Sequence, residues 1–171
     1  MKSGTLVVFH RCGGKSLGYP PNTLLTAKWA QEFGAKAIEY DIVYCDSDDG
    51  GKIVAIEPKL LKQAGLDINS LDWADVQEID TGNEKFGKSS PVTLEKMLLE
   101  VDSSKVAHQI HIKGSNPKTF DILLRNLRSV KNYILTTFDI SVIKNMKKLG
   151  GNIPVGWIPY FVRSDILWNI C

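Results

Sequence analysis

Ala37-Ile38-Glu39-Tyr40-Asp41-Ile42-Val43-Tyr44 is the stretch on which the fold turns. Apart from its two carboxylates it is apolar or aromatic throughout, which reads as a buried strand. Glu39 and Asp41 are two residues apart, so in a strand both side chains leave the same face. Two like charges there repel each other and are costly to desolvate. A hard divalent cation such as Mg²⁺ or Ca²⁺ relieves both problems, because it takes oxygen ligands. Two salt-bridged acids on an edge strand have the same spacing, and spacing alone leaves the two readings even.

Toward the N-terminus, Leu6 to Phe9 is a short apolar strand, followed by a Gly-rich loop from Cys12 to Pro21. Asn22 or Thr23 can cap a helix to about Glu32, ended by Gly34. Toward the C-terminus, Asp46 to Gly51 is a turn and Lys52 to Ile56 a strand stopped by Pro58. Residues 60–88 are less regular, with a capped helical turn or two at Ser70 to Val76. Helices are expected over Thr93 to Val101, Pro117 to Val130 and Ile140 to Leu149, the last closed by Gly150-Gly151. Strands are expected over Val106 to Ile112, Tyr133 to Thr137 and Val155 to Ile158. Arg163 to Ile170 begins a further helix. Strands and helices alternate, with connections too long for hairpins, which predicts an α/β fold with a parallel sheet. Both a doubly wound sheet and a (β/α) barrel fit, and both put chemistry at the carboxyl ends of the strands.

Polar residues gather at those ends. His10-Arg11 closes the first strand and opens the Gly-rich loop, a placement compatible with acid–base chemistry beside an anion and equally with a structural role. Glu57 ends the third strand. His111 and Lys113 repeat the two-residue spacing. They offer a metal or phosphate ligand with a fixed positive charge, although taken alone the pair favours a polar strand end. His108 reads as a solvated strand residue, and Trp29 and Met97 as core. Gly13-Gly14 is not a P-loop and no Gly-x-Gly-x-x-Gly occurs there, so nucleotide binding is unsupported.

Composition bounds the rest. At 171 residues, 43% hydrophobic and 23% charged, the chain is expected to form a single domain over 1–171 with a real core, which excludes disorder and coiled coil. A net charge of +2 predicts no strong pull toward nucleic acid or anionic membrane. Cys12, Cys45 and Cys171 are too few and too scattered for a disulfide framework, so free thiols in a reducing compartment are expected. The apolar run Leu6 to Phe9 near the N-terminus is too short for a signal peptide, and no run approaches the ~20 apolar residues of a membrane span. A cytoplasmic protein is the expectation.

The ordered set of pieces resembles the glycerophosphodiester phosphodiesterases. His10-Arg11 with Gly13-Gly14, then Pro20-Pro21-Asn22-Thr23-Leu24, then Gly34-Ala35-Lys36-Ala37-Ile38-Glu39-Tyr40-Asp41 is similar to that family's His-Arg-Gly, Pro-Glu-Asn-Thr-Leu and Gly-Ala-x-x-Ile-Glu-x-Asp. Leu71-Asp72-Trp73 through Ile79-Asp80-Thr81-Gly82, Pro91-Val92-Thr93-Leu94-Glu95, Ile110-His111-Ile112-Lys113 and Thr136-Thr137-Phe138-Asp139 keep the order, so the match runs from about residue 5 to 158. The resemblance implies a TIM-type barrel that hydrolyses glycerophosphodiesters to glycerol 3-phosphate and an alcohol with a divalent metal. It implies Glu39 and Asp41 as metal ligands, together with His111 in the place of a family Glu. It implies His10 in acid–base catalysis, and Arg11 and Lys113 against the phosphate charge.

Departures from the pattern are as informative. The family's second catalytic histidine aligns with Ile56 in Ile56-Glu57-Pro58-Lys59-Leu60, and isoleucine transfers no proton. General acid–base help is typically worth 10²–10⁴-fold, so weak or impaired activity is expected. Glu57 is the nearest surrogate, but in a regular strand it faces away from Ile56. His111 extends the expected metals from Mg²⁺ or Ca²⁺ to Mn²⁺ or Zn²⁺. Pro21 stands for a family Glu and Cys12 at the first loop glycine. A TIM barrel typically needs about 250 residues. Six βα units are expected here, with the family's last two absent. That leaves an open edge for a second copy or a completing chain, with Trp168 to Cys171 as a small cap. A relative that binds metal or phosphodiester without turnover is the alternative.

Overall fold

The computed structural model describes residues 7–148 and 153–159. In chain order the elements are β1 (Val8–Phe9), α1 (Leu24–Glu32), β2 (Ala37–Cys45), β3 (Lys52–Ala55), α2 (Pro58–Gln63), α3 (Trp73–Val76), β4 (Val92–Thr93), α4 (Leu94–Glu100), β5 (Ala107–Ile112), α5 (Lys118–Leu127), β6 (Tyr133–Thr137), α6 (Ile140–Lys148) and β7 (Val155–Trp157).

β1, β2, β5, β6 and β7 pair in that order, every pair parallel. Each new parallel strand joins the same side of its predecessor. A doubly wound sheet would instead reverse its strand order at a switch point. The monotonic order therefore selects the wall of a TIM-type barrel. Among the described residues β1 and β7 do not pair with each other. The helix expected over Arg163 to Ile170, the cap at Trp168 to Cys171 and the Gly150-Gly151 stop lie outside the described residues.

The third expected strand departs from the parallel reading. β3 pairs antiparallel with the upper half of β2, from Ile42↔Ala55 to Cys45↔Lys52, and β4 pairs antiparallel with β3. The link from Asp46 to Gly51 is thus a hairpin loop, and among the described residues five strands rather than six form the parallel run. Gly50 and Gly51 reverse the chain with φ of 101° and 87°. A Cβ at Gly51 would lie 2.6 Å from the Tyr44 hydroxyl, so only glycine fits beneath that ring. Pro58 does not merely stop β3. It stands at the first position of α2, where its missing N–H costs nothing.

β2 is central, and all nine of its residues are buried. Ile38, Tyr40, Ile42 and Tyr44 join one core with Ala27, Ala30, Leu94, Met97 and Leu123 of the helices. Val43 and Cys45, on the other face, join a smaller core with Val54, Ile56, Leu61, Leu71 and Val76. The edge-strand reading of Glu39 and Asp41 is therefore excluded. His108 also departs from expectation. It is fully buried, with Nδ1 3.1 Å from the Tyr40 hydroxyl, because β5 lies between β2 and β6 and shows no edge to water. No helix among the described residues is long and apolar enough to cross a membrane.

Candidate active site

Three chain segments converge at the carboxyl ends of β1, β2 and β5. After β1 the backbone turns sharply through His10–Cys12, with Arg11 at φ 51° and Cys12 at φ 68°. Left-handed backbone at two non-glycine residues costs free energy and persists only where neighbours enforce it. Here the Arg11 N–H donates to Glu39 Oε2 at 2.7 Å, the Arg11 carbonyl accepts from the Asn22 N–H at 3.2 Å, and the Gly13 N–H donates to the His10 carbonyl at 2.8 Å. Gly13 is itself left-handed, and a Cβ there would lie 2.6 Å from the Phe9 ring.

Asn22 ties the same turn to β2. Thr23 caps α1, its hydroxyl accepting from the Thr26 N–H, which frees Asn22 for another task. β1 pairs β2 only at Ala37 and Ile38, and β3 only from Ile42 onward. The Asp41 N–H lies in the gap and donates to Asn22 Oδ1 at 3.0 Å. Sequence reasoning placed Asn22 only as a helix cap. The signal for more was a second capping-type residue directly before Thr23.

β2 and β5 are parallel neighbours in which Asp41 and His111 are register partners. Glu39, Asp41 and His111 are 3%, 1% and 4% exposed. Glu39 Oε1 lies 3.7 Å from His111 Nδ1, and Glu39 Oε2 lies 4.0 Å from Nε2 of the exposed His10. Asp41 faces Arg11 Nε and Lys113 Nζ, each at 3.0 Å. These are charge contacts whose angles fall short of hydrogen bonds, so neither Asp41 carboxylate oxygen accepts one among the described residues. Arg11 Nη1 also pairs with Glu57 Oε1. Phe138 packs edge-on to the His111 ring at 4.4 Å and lies 4.6 Å beneath Lys113 Nζ.

The electrostatics follow from burial and crowding. Burial and the Asp41 charge push the Glu39 carboxyl up to about 7. Burial, then the Lys113 charge, lowers His111 to about 4. Burial, then the Arg11 charge, lowers His10 below its ordinary value.

The structure thus brings His10, Arg11, Glu39, Asp41, His111 and Lys113 into one cluster. Glu57 joins them, against the regular-strand expectation. β3 ends at Ala55, and the chain bends at Glu57 into α2, returning its carboxylate to Arg11. Ile56 is fully buried in the apolar layer with Val54 and Leu61. Phe138 was matched in sequence but given no role, because a ring contact between adjacent strands leaves no local signature.

The residues fit a divalent cation. One donor atom each from Glu39, Asp41 and His111 lies within 4.8 Å of the others. Both Asp41 oxygens are buried without a hydrogen-bond partner among the described residues, the state that ligation would relieve. Beside the cluster, a cleft of about 830 Å³ opens from Arg11 and Lys113 toward Phe138, Ile140 and Trp157.

No family model matches the chain. A curated glycerophosphodiester phosphodiesterase of Caldanaerobacter subterraneus subsp. tengcongensis is 24% identical over 163 residues, covering 89% of this chain and 65% of that protein. The glycerophosphodiester phosphodiesterase of Thermotoga maritima superposes with a TM-score of 0.67 at 26% identity, over 92% of this chain and 63% of that one. An Oleispira antarctica phosphodiesterase, solved with the product sn-glycerol-3-phosphate, superposes with a TM-score of 0.73 at 20% identity, over 90% of this chain and 65% of that one. The chain therefore spans slightly less than two thirds of these relatives. Within that span, over about 90% of its own length, it is similar to glycerophosphodiester phosphodiesterases.

Proposed function

We propose that residues 1–171 act as one domain that hydrolyses glycerophosphodiesters to glycerol 3-phosphate and an alcohol, slowly and with a divalent metal. The observation that carries the reading is the buried Glu39–Asp41–His111 donor set beside Arg11 and Lys113. A divalent ion held there supplies Lewis-acid polarisation of a phosphoryl oxygen and a compensating charge. Without it and with Glu39 ionised, the carboxylates Glu39, Asp41 and Glu57 against the cations Arg11 and Lys113 leave one net negative charge, and burial with the Asp41 charge pushes Glu39 up to about 7. With it the cluster carries one net positive charge, matched to the single negative charge of a phosphodiester.

The chain's own groups divide the remaining work. Arg11 and Lys113 orient the phosphate and stabilise charge that develops on its oxygens. Partial desolvation and the Arg11 charge lower His10, which favours the neutral imidazole able to accept a proton from the attacking hydroxyl. Protonation of the leaving oxygen is where the site is weak. Ile56 has no proton to give, and Glu57 is already paired with Arg11. Turnover is accordingly expected about 10²–10⁴-fold below that of a site with a complete acid–base pair. The buried free thiols Cys12 and Cys45 support a reducing, cytoplasmic setting.

Ile56 also favours a second reading, binding of metal and phosphodiester without turnover. Glycerol 3-phosphate release from glycerophosphocholine separates the two. Release that stops with chelator and returns on adding a divalent metal supports hydrolysis. Metal binding with no release in a folded sample supports the second reading.

A further inference from the structure

Glu39, Asp41 and His111 are not an all-oxygen site. Two carboxylates and one imidazole face each other, and a cationic or N–H group already lies near each carboxylate. Asp41 has two cationic nitrogens at 3.0 Å, and Glu39 accepts the Arg11 N–H at 2.7 Å. Mg²⁺ and Ca²⁺ draw their affinity from oxygen donors, and here cations already counter much of that charge. Imidazole nitrogen instead suits Zn²⁺ and Fe²⁺, whose affinities also stand above those of hard ions at mixed nitrogen and oxygen sites. His111 is fixed for such use. It is opposite Asp41 in the β2–β5 register, packed against Phe138, and more than nine-tenths buried. Its Nδ1 lies 3.7 Å from Glu39 Oε1, close to the separation of about 3–3.5 Å for neighbouring donors on an ion with bonds of about 2.0–2.2 Å.

We infer that this site selects a transition ion of the Zn²⁺ or Fe²⁺ class over Mg²⁺ and Ca²⁺, and that the His111 imidazole sets the choice. The inference rests on the reading of the cluster as a metal site, and its test reads binding rather than turnover. A chain that binds as described but releases no product leaves it standing and removes only the hydrolytic reading.

The experiment is calorimetric titration of the metal-stripped full chain with Zn²⁺, Mg²⁺ and Ca²⁺, for the wild type, His111→Gln, His111→Glu and His10→Gln. Zn²⁺ is expected to bind most tightly to the wild type. His111→Gln should weaken Zn²⁺ by at least about tenfold, at or beyond the range of outer-shell changes at metal sites, while leaving Mg²⁺ little altered. His111→Glu should move the preference toward Mg²⁺ and Ca²⁺. Equal affinities for the three ions in the wild type would overturn the inference without needing any variant to fold. Unaltered Zn²⁺ affinity in His111→Gln would also overturn it, as would a loss confined to His10→Gln, which would move the imidazole to His10.

Discussion

Arg11 is the residue through which the site holds together. Its backbone N–H reaches Glu39, its Nε faces Asp41, and its Nη1 pairs with Glu57. A lysine cannot repeat that fork, since it presents a point charge rather than a planar set of donors. Arg11→Lys is therefore expected to weaken phosphodiester binding with little change in metal affinity, measured by titration with glycerophosphocholine in the presence of Zn²⁺. Equal weakening of both would contradict the assignment. Ile56 gives the converse prediction. Replacing it with histidine puts a proton donor on the side of the sheet that carries Asp41, because Ile56 continues the antiparallel register opposite Asp41, its N–H donating to the Asp41 carbonyl. Ile56→His is expected to raise the rate of glycerol 3-phosphate release by about tenfold or more. It should also lower stability by about 1–3 kcal/mol, because imidazole replaces a fully buried aliphatic group. An unchanged rate in folded variant protein would remove the explanation given for slow turnover.

Among the elements, β2 decides both fold and site. Its apolar run and two-residue carboxylate spacing were legible in the sequence, because burial and strand period are local properties. The same holds for β5, α4, α5, β6 and α6, whose bounds differ from expectation by a few residues. The antiparallel return of β3 was not legible, since Lys52 to Ile56 reads alike in either direction. Nor was the burial of His108, which depends on β6 covering it from the other side. Asn22 was half legible, as a capping residue whose real partner, the Asp41 N–H, is nineteen positions away. This contact gives a prediction at the level of elements. Asn22→Gly keeps the left-handed backbone (φ 56°) but loses the bond, and Asn22→Ala loses both. Denaturant unfolding should show the glycine variant destabilised by about 1–2 kcal/mol and the alanine variant by more. Equal losses would mean that the backbone conformation carries no strain.

For the whole molecule, pH dependence reports on the buried imidazoles. His108 is lowered from 6.5 to about 4 by burial alone. The folded chain thus binds fewer protons there than the unfolded chain between those values. Its contribution to stability is present above about pH 6.5 and is lost as pH falls toward 4, up to about 3 kcal/mol. His111 acts in the same direction, whereas Glu39, raised to about 7, contributes stability that is lost as pH rises from 4.5 through 7. Comparing wild type with His108→Asn isolates the first term. Unfolding at pH 7 and pH 4.5 should show a smaller acid loss in the variant, and an identical loss would place the acid sensitivity elsewhere.

The central claim is that a metal held by Glu39, Asp41 and His111 serves phosphodiester hydrolysis in this barrel. Its most direct test is glycerol 3-phosphate release from glycerophosphocholine with added divalent metal, wild type against Asp41→Asn. The account predicts slow, metal-dependent release by the wild type and none by the variant. Equal release by the two proteins, or none by a folded, metal-bound wild type, would contradict it.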